Sequence, residues 1–102
     1  AVLSTGPVAL LPGVPTLAET LPGFQATVWH GIVGPAGMPP EIVAAANRVF
    51  NAVAGQPEVR RSVEQTQAGV VVGGTPAEFA AFIRADYDRW APVIREAGIR
   101  IE

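Results

Sequence analysis

The sequence predicts an α+β fold, a small sheet with three to four helices. Two short runs of β-branched and aromatic residues, 24–33 and 69–74, are bounded by glycine and proline, as strands are. Two longer stretches repeat apolar residues at three- and four-residue steps, which is the helical period. Capping residues and prolines stand where those helices would begin.

With 102 residues the chain holds one small domain and not two. Hydrophobic residues make up 49% and charged residues 16%. Such a thin coat of charge predicts that some apolar surface lies under another chain or lobe. The net charge is −2, all seven cations are arginine, and no basic run occurs, which argues against nucleic acid and anionic membrane as partners. Without cysteine there is no disulfide, thiol catalysis or thiolate metal site, and the compartment stays open. No apolar run reaches membrane-spanning length, and the N-terminus does not read as a signal peptide. The abrupt opening at Ala1 predicts that the natural start lies upstream.

Residues 1–4 suit the tail of a strand, and 5–14, with Gly6, Pro7, Pro12 and Gly13, suit a surface loop. Thr16 and Glu19 have capping-box spacing and predict a short helix start that stabilises the turn by about 1 kcal/mol. Thr27, Val28, Trp29, Ile32 and Val33 then predict a strand, stopped by Gly34, Pro35, Gly37, Pro39 and Pro40. A helix follows over Pro40–Ala54, with Ile42, Val43, Ala46, Val49, Phe50 and Val53 on one stripe and Gly55 as its stop. Pro57 opens another through about Gln67, with Val59 and Val63 inward and Glu58, Arg60, Arg61 and Glu64 solvated. The valines of 69–74 predict a small strand; a phosphate loop is not indicated, since its lysine and hydroxyl are missing.

Thr75-Pro76-Ala77-Glu78 is the strongest local signal: an N-cap, a first-position proline and a third-position glutamate. The helix it opens carries Phe79, Phe82, Ile83, Trp90, Val93 and Ile94 mostly on one face. Pro92 predicts a kink near Asp88 to Trp90, continuation to Ala97 and closure at Gly98. Residues 99–102 alternate like a short terminal strand.

No catalytic constellation emerges, so no enzyme, cofactor or metal site is expected. His30 is the lone histidine, a residue type suited to acid–base work, and within an apolar strand it reads first as structural. Ser4 and Ser62 lie in no nucleophile elbow. Asp86 and Asp88, two apart on a helix, point in different directions. Arg84 with Asp88, and Asp86 with Arg89, have spacing for surface ion pairs worth tenths of a kcal/mol.

Several segments follow one another in a recognisable order. They are Leu11-Pro12-Gly13-Val14-Pro15-Thr16-Leu17-Ala18-Glu19, Trp29-His30-Gly31-Ile32-Val33-Gly34-Pro35-Ala36-Gly37-Met38-Pro39, Gln56-Pro57-Glu58-Val59-Arg60 and Gly73-Gly74-Thr75-Pro76-Ala77-Glu78-Phe79. With Trp90 and Ala97-Gly98-Ile99 closing the series, the chain resembles the C-terminal third of the tripartite tricarboxylate transporter substrate-binding proteins, the Bug family.

The resemblance implies part of a type II periplasmic-binding-protein fold. It implies a noncatalytic, periplasmic receptor that captures small organic acids between two lobes and delivers them to membrane transporter subunits. In that frame 1–23 ends the second lobe, 24–35 is the crossover strand and loop, and 36–102 are the returning helices of the first lobe. Trp29, His30 and Gly31 would then sit nearest the ligand, while Thr16, Glu19, Thr75 and Glu78 would be structural caps. The chain departs from the family pattern at Pro7-Val8-Ala9, where arginine-serine-proline is usual, at Gly13, where aspartate is usual, and at Pro92. A third of such a receptor encloses no complete cleft, so a homo-oligomer is expected, with a second copy replacing the missing lobe. The rival expectation is a stand-alone interaction or oligomerisation module that binds no small molecule.

Overall fold

Proline at the first position opens each of the three helices, where its missing N–H has no acceptor to lose. The computed structural model describes residues 1–4 and 6–100. In it α1 spans Pro40–Ala54, α2 Pro57–Gln67 and α3 Pro76–Glu96. The first two have the predicted bounds, and α3 runs on past Pro92, with Ala97 as its C-cap.

The predicted caps form. Thr75 Oγ1 accepts from the Glu78 backbone N–H at 3.2 Å, and the Glu78 carboxylate accepts from the Thr75 N–H at 2.7 Å and hydroxyl at 2.8 Å. The Thr75 N–H and hydroxyl hold the Glu78 carboxyl below the usual carboxylate range. Near the N-terminus the Glu19 carboxylate accepts from Thr16 N–H at 2.9 Å and Oγ1 at 3.2 Å. The element they cap is a single 3-10 turn, Leu17–Glu19.

A side-chain clamp ties α1 to the start of α3. Asn47 and Asn51 both donate to the Gly74 carbonyl, at 2.9 and 2.8 Å, and the Gly74 N–H donates to Asn51 Oδ1 at 3.1 Å. Asn51 thereby pairs with both polar groups of one residue, as a neighbouring strand would. Gly74 adopts φ +119°, which L side chains rarely reach, so glycine is required there.

The sheet is where the structure corrects the sequence reading. Among the described residues there is no strand: the architecture is three helices, not a small sheet with helices. Residues 24–33, 69–74 and 99–100 carry no ladder, and 101–102 lie outside the described residues, as does Thr5. The predicted strand tail at 1–4 survives as one parallel bridge, with Val2 N–H donating to Pro15 O at 2.9 Å and Leu17 N–H to Val2 O at 2.8 Å. The reason is physical: side-chain pattern fits a residue run to a sheet, but a strand exists only against a partner edge.

The helices fail to enclose a core. No hydrophobic residue among those described is buried; the one buried residue is Thr16. The radius of gyration is 16.6 Å, against ~13 Å for a compact domain of this length. The accessible surface is 8337 Å², against ~5,500 Å² for a self-contained globule of this mass. Apolar stripes are therefore present on the helices but are half-buried or exposed. Val28, Val70 and Val72 are 89%, 84% and 88% exposed.

Candidate functional site

The densest chemistry lies where residues 24–33 cross α3. Trp29 stands edge-on to two rings of that helix, Phe79 at 5.6 Å and 85° and Phe82 at 5.5 Å and 83°. These are the T-shaped arrangements that the ring quadrupoles favour. Its indole N–H donates to Asp86 Oδ2 at 2.9 Å. Phe79, Phe82 and Asp86 lie three, then four residues apart, so α3 presents them to Trp29 from one face.

Asp86 in turn pairs with Arg89 through Oδ1, as the spacing predicts. Arg89 Nη1 reaches back to the Gln25 carbonyl at 3.4 Å, and its guanidinium lies 5.3 Å from the Trp90 ring centroid. Gly31 completes the crossing: a Cβ there would overlap the Phe79 ring, so only glycine permits this approach. Trp29 and Gly31, two apart, both meet Phe79; Val28 is 89% exposed and Trp29 39%. That alternation is the pattern of an extended backbone laid on the helix. Beside it a groove of about 260 Å³ is lined by Trp29, Ile83, Tyr87, Trp90 and Ile94.

The Asp86 side chain is 16% exposed. The hydrogen bond from Trp29 lowers its pKa, partial burial opposes this, and Arg89 adds to the lowering. A carboxylate whose folded pKa is depressed stabilises the fold fully above its unfolded value of about 3.9. That contribution is lost as pH falls through the lower folded value. Acid titration followed by tryptophan fluorescence is expected to show the Trp29 signal unchanged at pH 5 and released only below the ordinary carboxylate range. Asp86→Asn should abolish that step; an unaltered acid profile in the variant would count against the assignment.

Of the predicted binding residues, the crossing brings Trp29 and Gly31 onto α3 and leaves His30 exposed beside them. Thr16, Glu19, Thr75 and Glu78 occupy caps. Sequence spacing found the Asp86–Arg89 pair but not its partners, because Gln25 and Trp29 lie 64 and 57 residues away along the chain. No group of three or more histidine, cysteine, aspartate or glutamate side chains among the described residues could hold a metal ion. None of the described helices is long and apolar enough to cross a membrane.

Comparison with known proteins gives a consistent answer. Residues 1–99 match the family model described as the tripartite tricarboxylate transporter family receptor. That is the description of a receptor and not of a catalyst. The chain is 33% identical over 103 residues to Protein BugT of Bordetella pertussis, covering 100% of this chain and 31% of that protein. It is 35% identical over 89 residues to the UPF0065 protein in the tcbD-tcbE intergenic region of a Pseudomonas species, covering 84% of this chain and 26% of that protein. It thus spans about a third or less of the length of the curated relatives it matches. No solved structure matches it significantly.

Proposed function

The chain belongs to the tripartite tricarboxylate transporter receptor family, and from that premise we propose that it forms one wall of a two-lobed solute receptor that captures small organic carboxylates in the periplasm without covalent chemistry. The family match over residues 1–99 carries the reading. In this reading 1–23 close the second lobe, 24–35 cross between lobes, and 36–102 return along the first. The α+β architecture belongs to the whole receptor. Residues 24–33 and 69–74 then supply strands to a sheet whose other members lie outside these residues, and their exposed valines are what that sheet covers.

The crossing also divides the labour among Trp29, His30 and Gly31. Trp29 spends its indole N–H on Asp86 and its ring on T-shaped contacts with Phe79 and Phe82, and Gly31 is pressed against Phe79. His30, exposed between them, is the side chain free to meet a carboxylate. Delivery of the solute to membrane transporter subunits follows from the same family description.

Calorimetry with a panel of dicarboxylates and tricarboxylates tests this. Saturable heat that His30→Ala weakens at least tenfold is the expected result. Saturable heat unaffected by His30→Ala would remove the site from the crossing. Silence across the panel from a chain that associates with itself would favour the interaction module, the reading that the absence of any buried hydrophobic residue among those described supports.

A further inference from the structure

We propose that Asp86 and Arg89 are positioning residues that hold the crossing segment 24–33 against α3 and so fix how the proposed crossover between lobes is set; the functional half of this rests on the receptor reading above. An aspartate and arginine three apart on an exposed helix ordinarily make a surface pair of little consequence. Here each has a second partner in another part of the chain. Asp86 accepts from Trp29 Nε1 with the oxygen that Arg89 does not use, and Arg89 reaches the Gln25 carbonyl with the nitrogen that Asp86 does not use. The pair therefore grips the segment at two points four residues apart, one through a side chain and one through the backbone.

The grip matters because little else holds this segment. It has no ladder among the described residues, and apart from the Arg89 contact its backbone makes two hydrogen bonds to the rest of the described chain, Phe24 N–H to Leu21 O at 3.0 Å and Ala26 N–H to Leu3 O at 3.2 Å. The aromatic contacts of Trp29 supply attraction but little direction. Hydrogen bonds to ionised groups supply both, and are stronger than neutral ones. A planar guanidinium suits Arg89, since its fork serves two acceptors at once and a lysine ammonium is a single point charge.

The test uses the chain as it stands and two independent readouts. Trp29→Phe keeps an aromatic ring and removes the N–H together with part of the indole; Asp86→Asn keeps an oxygen and removes the charge; Arg89→Lys keeps the charge and removes the fork. Exchange of the Ala26 amide, the one N–H of 25–33 that is hydrogen-bonded among the described residues, should rise about tenfold in Trp29→Phe and Asp86→Asn and less in Arg89→Lys, with the helical circular dichroism unchanged. The Trp29 and Asp86 changes combined should do less than the sum of the two, because they share one hydrogen bond. The indole N–H resonance of Trp29, identified by its loss in Trp29→Phe, should move upfield in Asp86→Asn while that of Trp90 moves less. Unchanged exchange in all three variants, or fully additive effects, would overturn the proposal. Succinate and citrate titrations separate the two claims. A severalfold loss of affinity alongside faster exchange supports both. Faster exchange in a chain whose wild type binds neither acid keeps the grip and rejects the receptor reading. Wild-type binding with unchanged exchange does the reverse.

Discussion

Gly31→Val is expected to peel residues 24–33 away from α3. A Cβ at Gly31 would lie 2.7 and 2.9 Å from two carbons of the Phe79 ring and closer still to a third, inside any allowed contact. The ring cannot swing aside without disturbing its contact with Trp29. Either Phe79 abandons Trp29 or the segment lifts, and lifting also breaks the Trp29–Asp86 and Arg89–Gln25 hydrogen bonds. Overpacking of this kind costs about 1–3 kcal/mol, and β-branched valine belongs at the upper end. The measurement is urea unfolding with tryptophan fluorescence, comparing Gly31→Ala, Gly31→Val and each combined with Phe79→Leu. The expected order is wild type, then alanine, then valine, with part of the loss recovered when Phe79 is shortened. Full stability in Gly31→Val would mean that the ring and the glycine do not meet in solution.

The helices were legible because their signals are local. Pro40, Pro57 and Pro76 set the first turns, Gly55 and Gly98 follow the ends, and Thr75 with Glu78 closes a capping ring of four residues. The family was legible for a different reason, since the order and spacing of short motifs survive even where no single motif is specific. The strands were not realised because pairing is nonlocal. The valines of 69–74 suit a sheet face, and nothing in those residues states whether a partner edge is present. The site was half legible on the same grounds. Spacing found Asp86 with Arg89, which are three apart, whereas Asn51 with Gly74 and Trp29 with Asp86 are tertiary matches between distant segments. His30 drew notice as the lone histidine, yet the densest contacts belong to the tryptophan beside it.

The 102-residue chain alone is expected to self-associate at micromolar concentration. Its surface exceeds that of a compact globule of equal mass by roughly 2,900 Å², and much of what is exposed is aliphatic or aromatic: Val28, Ile32, Val33, Val70, Val72, Tyr87 and Ile99 are each more than half exposed. A standard interface buries about 800 Å² per partner, so one partner of ordinary size would cover only part of the excess, and larger assemblies or extensive interfaces follow. The two runs of exposed valines also present unpaired backbone, which favours edge-to-edge association. Sedimentation equilibrium should therefore give a mass above that of one chain, and Val28→Arg with Val72→Arg should lower it by placing charge where an apolar face would close. The chain spans 31% of Protein BugT. If the apolar faces were shaped to meet the remainder of such a receptor, supplying that remainder should abolish self-association, because both coverings compete for the same valines. A compact monomer from the chain alone would contradict the open arrangement of the helices itself, since 102 residues that bury their own stripes have no need of either partner.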